Sequence, residues 1–257
     1  MDKLSLVIPA HNESGRIERT LREYFSYFGE LKKNGVLDFE IVVVLNACSD
    51  NTSEIVGKFK DKELVILDFV RGGKGFAITE GFKDALKRGS DFIGFVDADC
   101  STPPEAFYDL VKNIGEADGV IADRWHKDSI VAKQTFFRQF LSRGYNFIIR
   151  SLFFLPYNDT QCGAKVFTRE ILEKNIHKMV SSQWNYDIAL LFCLKKESRA
   201  RIKSIPTTWM DEEASKVNIR RTPVTMFASA VRLRLIHSPL RFTVRFYRKL
   251  PQWAKFH

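Results

Sequence analysis

Asp91-Phe92-Ile93-Gly94-Phe95-Val96-Asp97-Ala98-Asp99 is the stretch that decides the architecture. The apolar run from Phe92 to Val96 is too short for a buried helix and has charge at both ends, so it reads as a strand buried on both faces. Leu4-Ser5-Leu6-Val7-Ile8, Phe39 to Leu45 and Leu64 to Phe69 repeat that character upstream. Between the four runs lie helical patterns. Ile17, Leu21, Tyr24, Phe25 and Phe28 form one apolar stripe, Thr52 to Phe59 forms a short helix, and Ala77, Ile78, Phe82, Ala85 and Leu86 form a second stripe. Apolar strands alternating with amphipathic helices predict an α/β fold with a mostly parallel sheet covered on both faces.

Ligands of such sheets sit at the carboxyl ends of the strands. Four unusual loops converge there: Pro9-Ala10-His11-Asn12-Glu13, Asn46-Ala47-Cys48-Ser49-Asp50, Gly72-Gly73-Lys74-Gly75 and Asp97-Ala98-Asp99. Two carboxylates one residue apart, where a strand stops, can both face a divalent ion of the Mg2+ or Mn2+ type that also bridges phosphates. The alternative is a solvated acidic turn. Gly72 to Gly75 opens a helix, where backbone N–H groups and Lys74 suit phosphate. No Ser or Thr follows the lysine, so this is not a Walker loop, and a plain glycine turn is the competing reading. Downstream, the pattern predicts a helix over Pro104 to Ile114 and a strand over Gly119 to Ala122. A basic, Phe-rich stretch from Arg124 to Leu155 follows. A strand over Ala164 to Phe167, helices over Arg169 to Ile176 and Trp184 to Lys196, and a last strand over Ile202 to Ile205 complete the body.

A chain of 257 residues with 45% hydrophobic content suffices for one α/β domain with an appendage. Its net charge of +9 is unevenly placed. Ten of the 40 Lys and Arg lie between Ala214 and His257, where there is no Asp or Glu, so the rest carries 30 basic against 31 acidic residues. A neutral body argues against a nucleic-acid-binding module, and a basic aromatic tail suits an anionic membrane surface. The four cysteines lack C-x-x-C spacing and read as reduced thiols. No apolar run approaches the ~18–20 residues that span a bilayer, and Met1-Asp2-Lys3 leads straight into a strand without a signal-peptide pattern.

Together Val7-Ile8-Pro9-Ala10-His11-Asn12-Glu13, Asn46 with Ser49-Asp50-Asn51-Thr52, Gly73-Lys74-Gly75 and Asp97-Ala98-Asp99 resemble the inverting GT-A glycosyltransferases of family 2. Asp159-Thr160-Gln161-Cys162-Gly163-Ala164-Lys165-Val166-Phe167-Thr168-Arg169 and Trp184-Asn185-Tyr186-Asp187 resemble its dolichyl-phosphate glucosyltransferase and mannosyltransferase branch. The resemblance implies a GT-A nucleotide-binding sheet, placed over residues 1–219 with an acceptor-side helical segment at about 124–155, and the charge and apolar spacing add a basic amphipathic tail over 220–257. It implies that Pro9, Ala10, Asn12, Glu13, Asn46, Gly73, Lys74, Asp97, Ala98 and Asp99 bind the nucleotide-sugar. Asp97 and Asp99 would hold Mg2+ or Mn2+ and, with Lys74 and Lys216, carry catalysis. Arg124, Arg138 and Ser142 would meet the acceptor phosphate. Where the family has Asp-Asp-Gly-Ser, this chain has Leu45-Asn46-Ala47-Cys48, which leaves the donor open between UDP- and GDP-sugars.

Arg138 and Ser142 are four apart and share a helix face beside Phe136, Phe137, Phe140 and Leu141. A lipid-phosphate site and an ordinary amphipathic helix with its Phe residues in the core both fit. Glu212-Glu213-Ala214-Ser215-Lys216 is either a late donor-phosphate element or a solvated loop. Asp187 is catalytic or a helix-start residue favoured by the dipole, and the second reading is preferred. His11 reads as a pocket wall. In the tail, Val224, Phe227, Ala228, Val231 and Leu235, then Phe242, Phe246, Leu250 and Trp253, define two short amphipathic helices suited to an interface. The expected activity is metal-dependent, inverting transfer of glucose or mannose from a nucleotide-sugar to dolichyl or polyprenyl phosphate. The expected place is the cytoplasmic face of a membrane, peripherally, with a membrane-embedded partner possible. The rivals are a soluble family 2 enzyme with a small phosphorylated acceptor and a non-catalytic membrane-associated sugar-nucleotide binder.

Overall fold

In a computed structural model of the chain, residues 1–132, 136–179, 185–210, 222–236 and 238 are described, with backbone alone for 136–142 and 222–228. Strand β1 (Lys3–Ala10) lies in mid-sheet, which is why Leu4 to Ala10 is an unbroken apolar run apart from Ser5 and Pro9. It pairs in parallel with β2 (Asp38–Asn46) on one side and β4 (Phe92–Phe95) on the other, and β2 pairs in parallel with β3 (Leu64–Phe69). Strand β7 (Lys165–Thr168) runs antiparallel between β4 and β5 (Gly119–Asp123), and β8 (Ile202–Pro206) pairs in parallel with β5. The seven-stranded order is β3-β2-β1-β4-β7-β5-β8. The mostly parallel α/β sheet expected from the sequence is therefore present.

Side-chain alternation along the strands divides the core into two layers. Leu4, Leu6, Ile8, Ile41 and Val43 face α1 (Ile17–Lys33) and α4 (Pro104–Lys112), which contribute Leu21, Tyr24, Phe28, Phe107 and Leu110. Val7, Val42, Val44, Ile93 and Phe95 face the opposite layer, with Ile78 and Phe82 of α3 (Lys74–Lys87), Leu172 of α6 (Arg169–Asn175) and Leu190 of α7 (Tyr186–Ser198). The short α2 (Thr52–Gly57) links β2 to β3. Between β5 and β7 come a two-residue strand β6 (Ile130–Val131) and the long α5 (Phe136–Phe153); β6 pairs with β9 (Thr208–Trp209) in a small second sheet. Neither strand is legible at two residues.

Helix α8 (Thr222–Ile236) packs on α5. Ala230 and Leu233 enter the core, and Arg234 Nε donates to the Leu152 carbonyl at 3.0 Å. Val231 and Leu235, on the apolar line that the periodicity assigns to an interface, are half-buried. The helix is apolar nearly all round, so periodicity selects its buried line poorly. Residues 239–257, with the second predicted tail helix, lie outside the described residues. Among the described residues, no helix is long and apolar enough to cross a membrane.

Candidate active site

The ends of β1, β2 and β4 and the start of α3 meet at one rim, where Asn46 ties β1, β2 and α3 to one another. Its buried amide donates from Nδ2 to the Ala10 carbonyl at 2.8 Å and accepts the Gly73 N–H at Oδ1 at 2.9 Å. Its own carbonyl is 2.8 Å from His11 Nδ1. One side chain thus joins three of the four predicted loops. Gly73 holds φ at 127°, a region closed to side-chain-bearing residues, and α3 starts directly after it. The N–H groups of that first turn have no helical acceptor, and they face the end of the helix where anions are favoured.

Asn12 and Glu13 are half-buried on the next loop. Asn12 adopts a left-handed φ of 56°, and its Oδ1 accepts the Ser49 N–H at 2.7 Å. The Glu13 N–H donates to Thr52 Oγ1 at 2.8 Å, and Arg16 donates to the Glu13 carboxylate. Burial works against the charge of Asp50, yet hydrogen bonds from Thr52 and Ser14 outweigh it and hold the carboxyl well below the usual range. Pro9, Ala10 and Ala98 are buried and shape the rim through their backbone; the Ala98 carbonyl accepts from Thr20 Oγ1 at 2.8 Å.

Asp97 and Asp99 are partly exposed just past β4. Lys74 Nζ lies 2.5 Å from Asp97 Oδ1. Asp99 accepts the Ser101 N–H at 3.0 Å, and Arg16 stands 3.8 Å from its other oxygen. Burial disfavours the Lys74 ammonium, but Asp97, Asp187 and Asp99 more than compensate and hold it protonated well above the ordinary lysine range. Among the described residues, no three His, Cys, Asp or Glu side chains cluster to hold a metal unaided. Two hard carboxylates already balanced by an ammonium fit a Mg2+-type ion that draws its remaining ligands from substrate phosphate and water.

Behind Asp97 lies a second set of charges. Arg124 grips the fully buried Asp159 from Nε at 2.7 Å and Nη2 at 3.1 Å, and its guanidinium lies over Trp209. Burial pushes the Asp159 carboxyl up, but Arg124 outweighs it and the net direction is down. Lys165, fully buried in β7, donates to Asp187 Oδ1 at 2.6 Å and to the Cys162 carbonyl. The Lys165 and Lys74 ammonium groups lie 5.2 Å and 5.9 Å from the centre of the same Phe95 ring. Asp187 does sit in the first turn of α7, as expected, but it also neutralises a buried lysine.

Asn46, Gly73, Lys74, Asp97 and Asp99 are thus gathered at one rim, with Asn12 and Glu13 on its flank. Arg124 is brought in from behind, through Asp159. Arg138 and Ser142 lie on α5, where only the backbone is described, and Lys216 and Trp184 fall outside the described residues. Sequence reasoning missed Gly163, Asp159 and the Lys165–Asp187 pair. One signal was available: a lysine inside the apolar run Ala164-Lys165-Val166-Phe167 must bury its charge and therefore needs a counter-charge.

A family model for glycosyl transferase family 2 matches residues 5–176, about two thirds of the chain. The chain belongs to that family and is a glycosyltransferase with the GT-A fold. It is 30% identical over 230 residues to the dolichyl-phosphate beta-glucosyltransferase of Homo sapiens, covering 84% of this chain and 69% of that one. It is 27% identical over 244 residues to the protein of the same description in Dictyostelium discoideum, covering 90% and 73%. Glucosyl-3-phosphoglycerate synthase from Mycobacterium tuberculosis, solved with uridine-diphosphate, superposes with a TM-score of 0.65 at 17% identity, covering 91% of this chain and 80% of that one. The same enzyme with Mn2+, uridine-diphosphate and phosphoglyceric acid gives 0.62 at 15% identity, covering 91% and 78%. At such identities the structural likeness concerns the fold alone.

Proposed function

We propose that the protein transfers glucose from UDP-glucose to a dolichyl-type polyprenyl phosphate, with inversion at the anomeric carbon. The observation that carries this reading is the Lys74–Asp97 pair beside Asp99 at the carboxyl end of the parallel sheet. It occurs in a chain similar to dolichyl-phosphate beta-glucosyltransferases. A phosphate acceptor is already an anion at neutral pH. Its oxygen attacks the anomeric carbon, the bond to the diphosphate breaks, and the electron pair leaves on UDP without a general base.

The chain's own residues then have two tasks, positioning and charge neutralisation. Lys74, with the free N–H groups of the α3 first turn, receives the leaving diphosphate. Asp97 and Asp99 would hold Mg2+ or Mn2+, which supplies further neutralisation of the diphosphate. Pro9, Ala10, Asn12 and Glu13 line the nucleoside side. Asn46 acts by fixing the Gly73 loop, since both ends of its amide are engaged within the protein. Arg124, Arg138 and Ser142 serve the acceptor phosphate, and Lys216 serves the donor. The chain works peripherally at the cytoplasmic face of a membrane, through the basic tail of residues 220–257.

The test uses anionic liposomes carrying dolichyl phosphate, with radiolabelled UDP-glucose and Mn2+ or Mg2+. The expected result is labelled lipid in the organic phase, dependence on the divalent ion, and co-sedimentation of the protein with the vesicles. Transfer from GDP-mannose alone would overturn the donor; transfer to 3-phosphoglycerate and not to lipid would overturn the acceptor.

A further inference from the structure

Asp97 is held in place from behind. An ideal Cβ built on Gly163 would lie 2.0 Å from Asp97 Oδ2 and 2.4 Å from its Cγ, so the Gly163 backbone is in contact with the carboxylate. Cys162, the residue before Gly163, is clamped on both sides. The Cys162 N–H donates to Asp159 Oδ1 at 3.1 Å, and the Cys162 carbonyl accepts from Lys165 Nζ at 2.5 Å. Lys165 is anchored in turn by Asp187 at 2.6 Å. The register completes the arrangement: Lys165 is paired with Phe95, two residues before Asp97, and its ammonium lies over the Phe95 ring.

We propose that Lys165 and Asp187 are positioning residues that set the orientation of the Asp97 carboxylate through the Cys162–Gly163 peptide. A fully buried lysine is a costly device for simple packing, since an apolar residue of similar volume fills such a site at least as well. Here the ammonium has two directed partners. One is a carbonyl on the loop that touches Asp97, and the other is a carboxylate on the first turn of α7. Lys165 reaches Cys162 and Asp187 rather than Asp97 itself, so the pair acts on that carboxylate at one remove. They act as outer-shell supports do at metal-ligand sites, where losing a support weakens ion binding or activity by roughly 10- to 100-fold.

The inference rests on the reading of Asp97 as a donor-site carboxylate, and its test separates the two. Binding of Mn2+ in the presence of UDP is followed by electron paramagnetic resonance of the free ion, with UDP binding alone and urea unfolding measured in parallel. The variants are Asp187→Asn, which keeps an acceptor oxygen for Lys165 but removes the charge, and Gly163→Ala, which leaves the ion pair intact. In Gly163→Ala the obstructing group is a side-chain end, so the chain folds and Asp97 swings away. Both variants should weaken UDP-dependent Mn2+ binding about tenfold or more, while UDP alone binds within about twofold of wild type. A merely structural pair would lower the urea midpoint of Asp187→Asn and leave the Mn2+ affinity of the folded protein unchanged, which overturns the inference. Wild-type affinity in Gly163→Ala would remove the path through that peptide. A wild-type protein that binds no Mn2+ with UDP overturns the donor reading itself.

Discussion

The rim and the wall behind it carry ion pairs of opposite character. Lys74 and Asp97 keep 36% and 38% of their side-chain surface exposed, whereas Arg124 and Asp159 keep 16% and 0%, and Lys165 and Asp187 keep 0% and 13%. A partly exposed pair keeps one side open to water, so an arriving diphosphate or cation can take over a partner even though Asp97 helps hold the Lys74 ammonium protonated. A buried pair has no such replacement, and losing one partner strands a charge in the interior. The rim pair is therefore exchangeable and the wall pairs are fixed. A site that exchanges charge with a ligand needs a background that does not rearrange with it.

The largest expected effect breaks the wall. Asp159→Ala should lower stability by ~3–5 kcal/mol in urea unfolding, while Asp97→Ala should cost less than ~1 kcal/mol. The reverse order would show that the rim pair, and not the wall, holds the fold. Because the folded Asp159 carboxyl is held below its ordinary value, its contribution is present above about pH 4 and is lost as the pH falls lower. Asp159→Asn should therefore unfold with a shallower acid dependence than wild type below pH ~4.

Next in size is the rim. Asp99→Ala should reduce transfer by on the order of 10²–10³-fold. Its unfolding free energy should stay within ~0.5 kcal/mol of wild type, as for other surface positions. Full activity of wild type in excess chelator would show that transfer needs no divalent ion. Asn46→Ala stands between rim and wall, since it leaves the Gly73 N–H without its acceptor and the Ala10 carbonyl with only the weak Cys48 thiol as a side-chain donor. A stability loss of ~1–3 kcal/mol together with weaker UDP binding is expected. Unchanged UDP affinity would show that the knot serves the fold alone.

The smallest effect sharpens the comparison by a control. Lys32 pairs with Asp38 and Glu63, each at 2.8 Å, where β2 begins rather than where it ends. These groups are about as exposed as the rim pair but lie at the opposite end of β2 from it. Lys32→Met should cost only ~0.2–1 kcal/mol and leave transfer unchanged. Hydrogen bonds from Lys32 hold both carboxyls below their ordinary range, so that cost should appear above about pH 4 and fade below it.

The sequence carried most of the fold because the sheet is buried on both faces. Runs such as Leu64 to Phe69 have few other readings, and β3 occupies that very span. It carried the rim because Gly73, Lys74, Asp97 and Asp99 lie next to strand ends, where local pattern suffices. What it did not reveal is long-range pairing. Arg124 finds Asp159 across 35 residues and Lys165 finds Asp187 across 22, and no local periodicity encodes either meeting. The side of α8 that packs on α5 was not legible for a related reason: the helix is apolar on most sides, so the neighbour α5, rather than the helix's own pattern, decides what is covered.

Strand order has a consequence in time. β3, β2, β1 and β4 all come from the first 95 residues, but the free edge of β4 is closed by β7, which begins at Lys165. At a synthesis rate of ~5–20 residues per second, about seventy residues take roughly 4 to 14 seconds to appear. For that interval Phe92-Ile93-Gly94-Phe95 is an apolar strand with one edge unpaired, the kind of surface on which nascent chains associate. A chain stalled before Lys165 therefore presents its stickiest edge just beside the rim that carries Asp97 and Asp99.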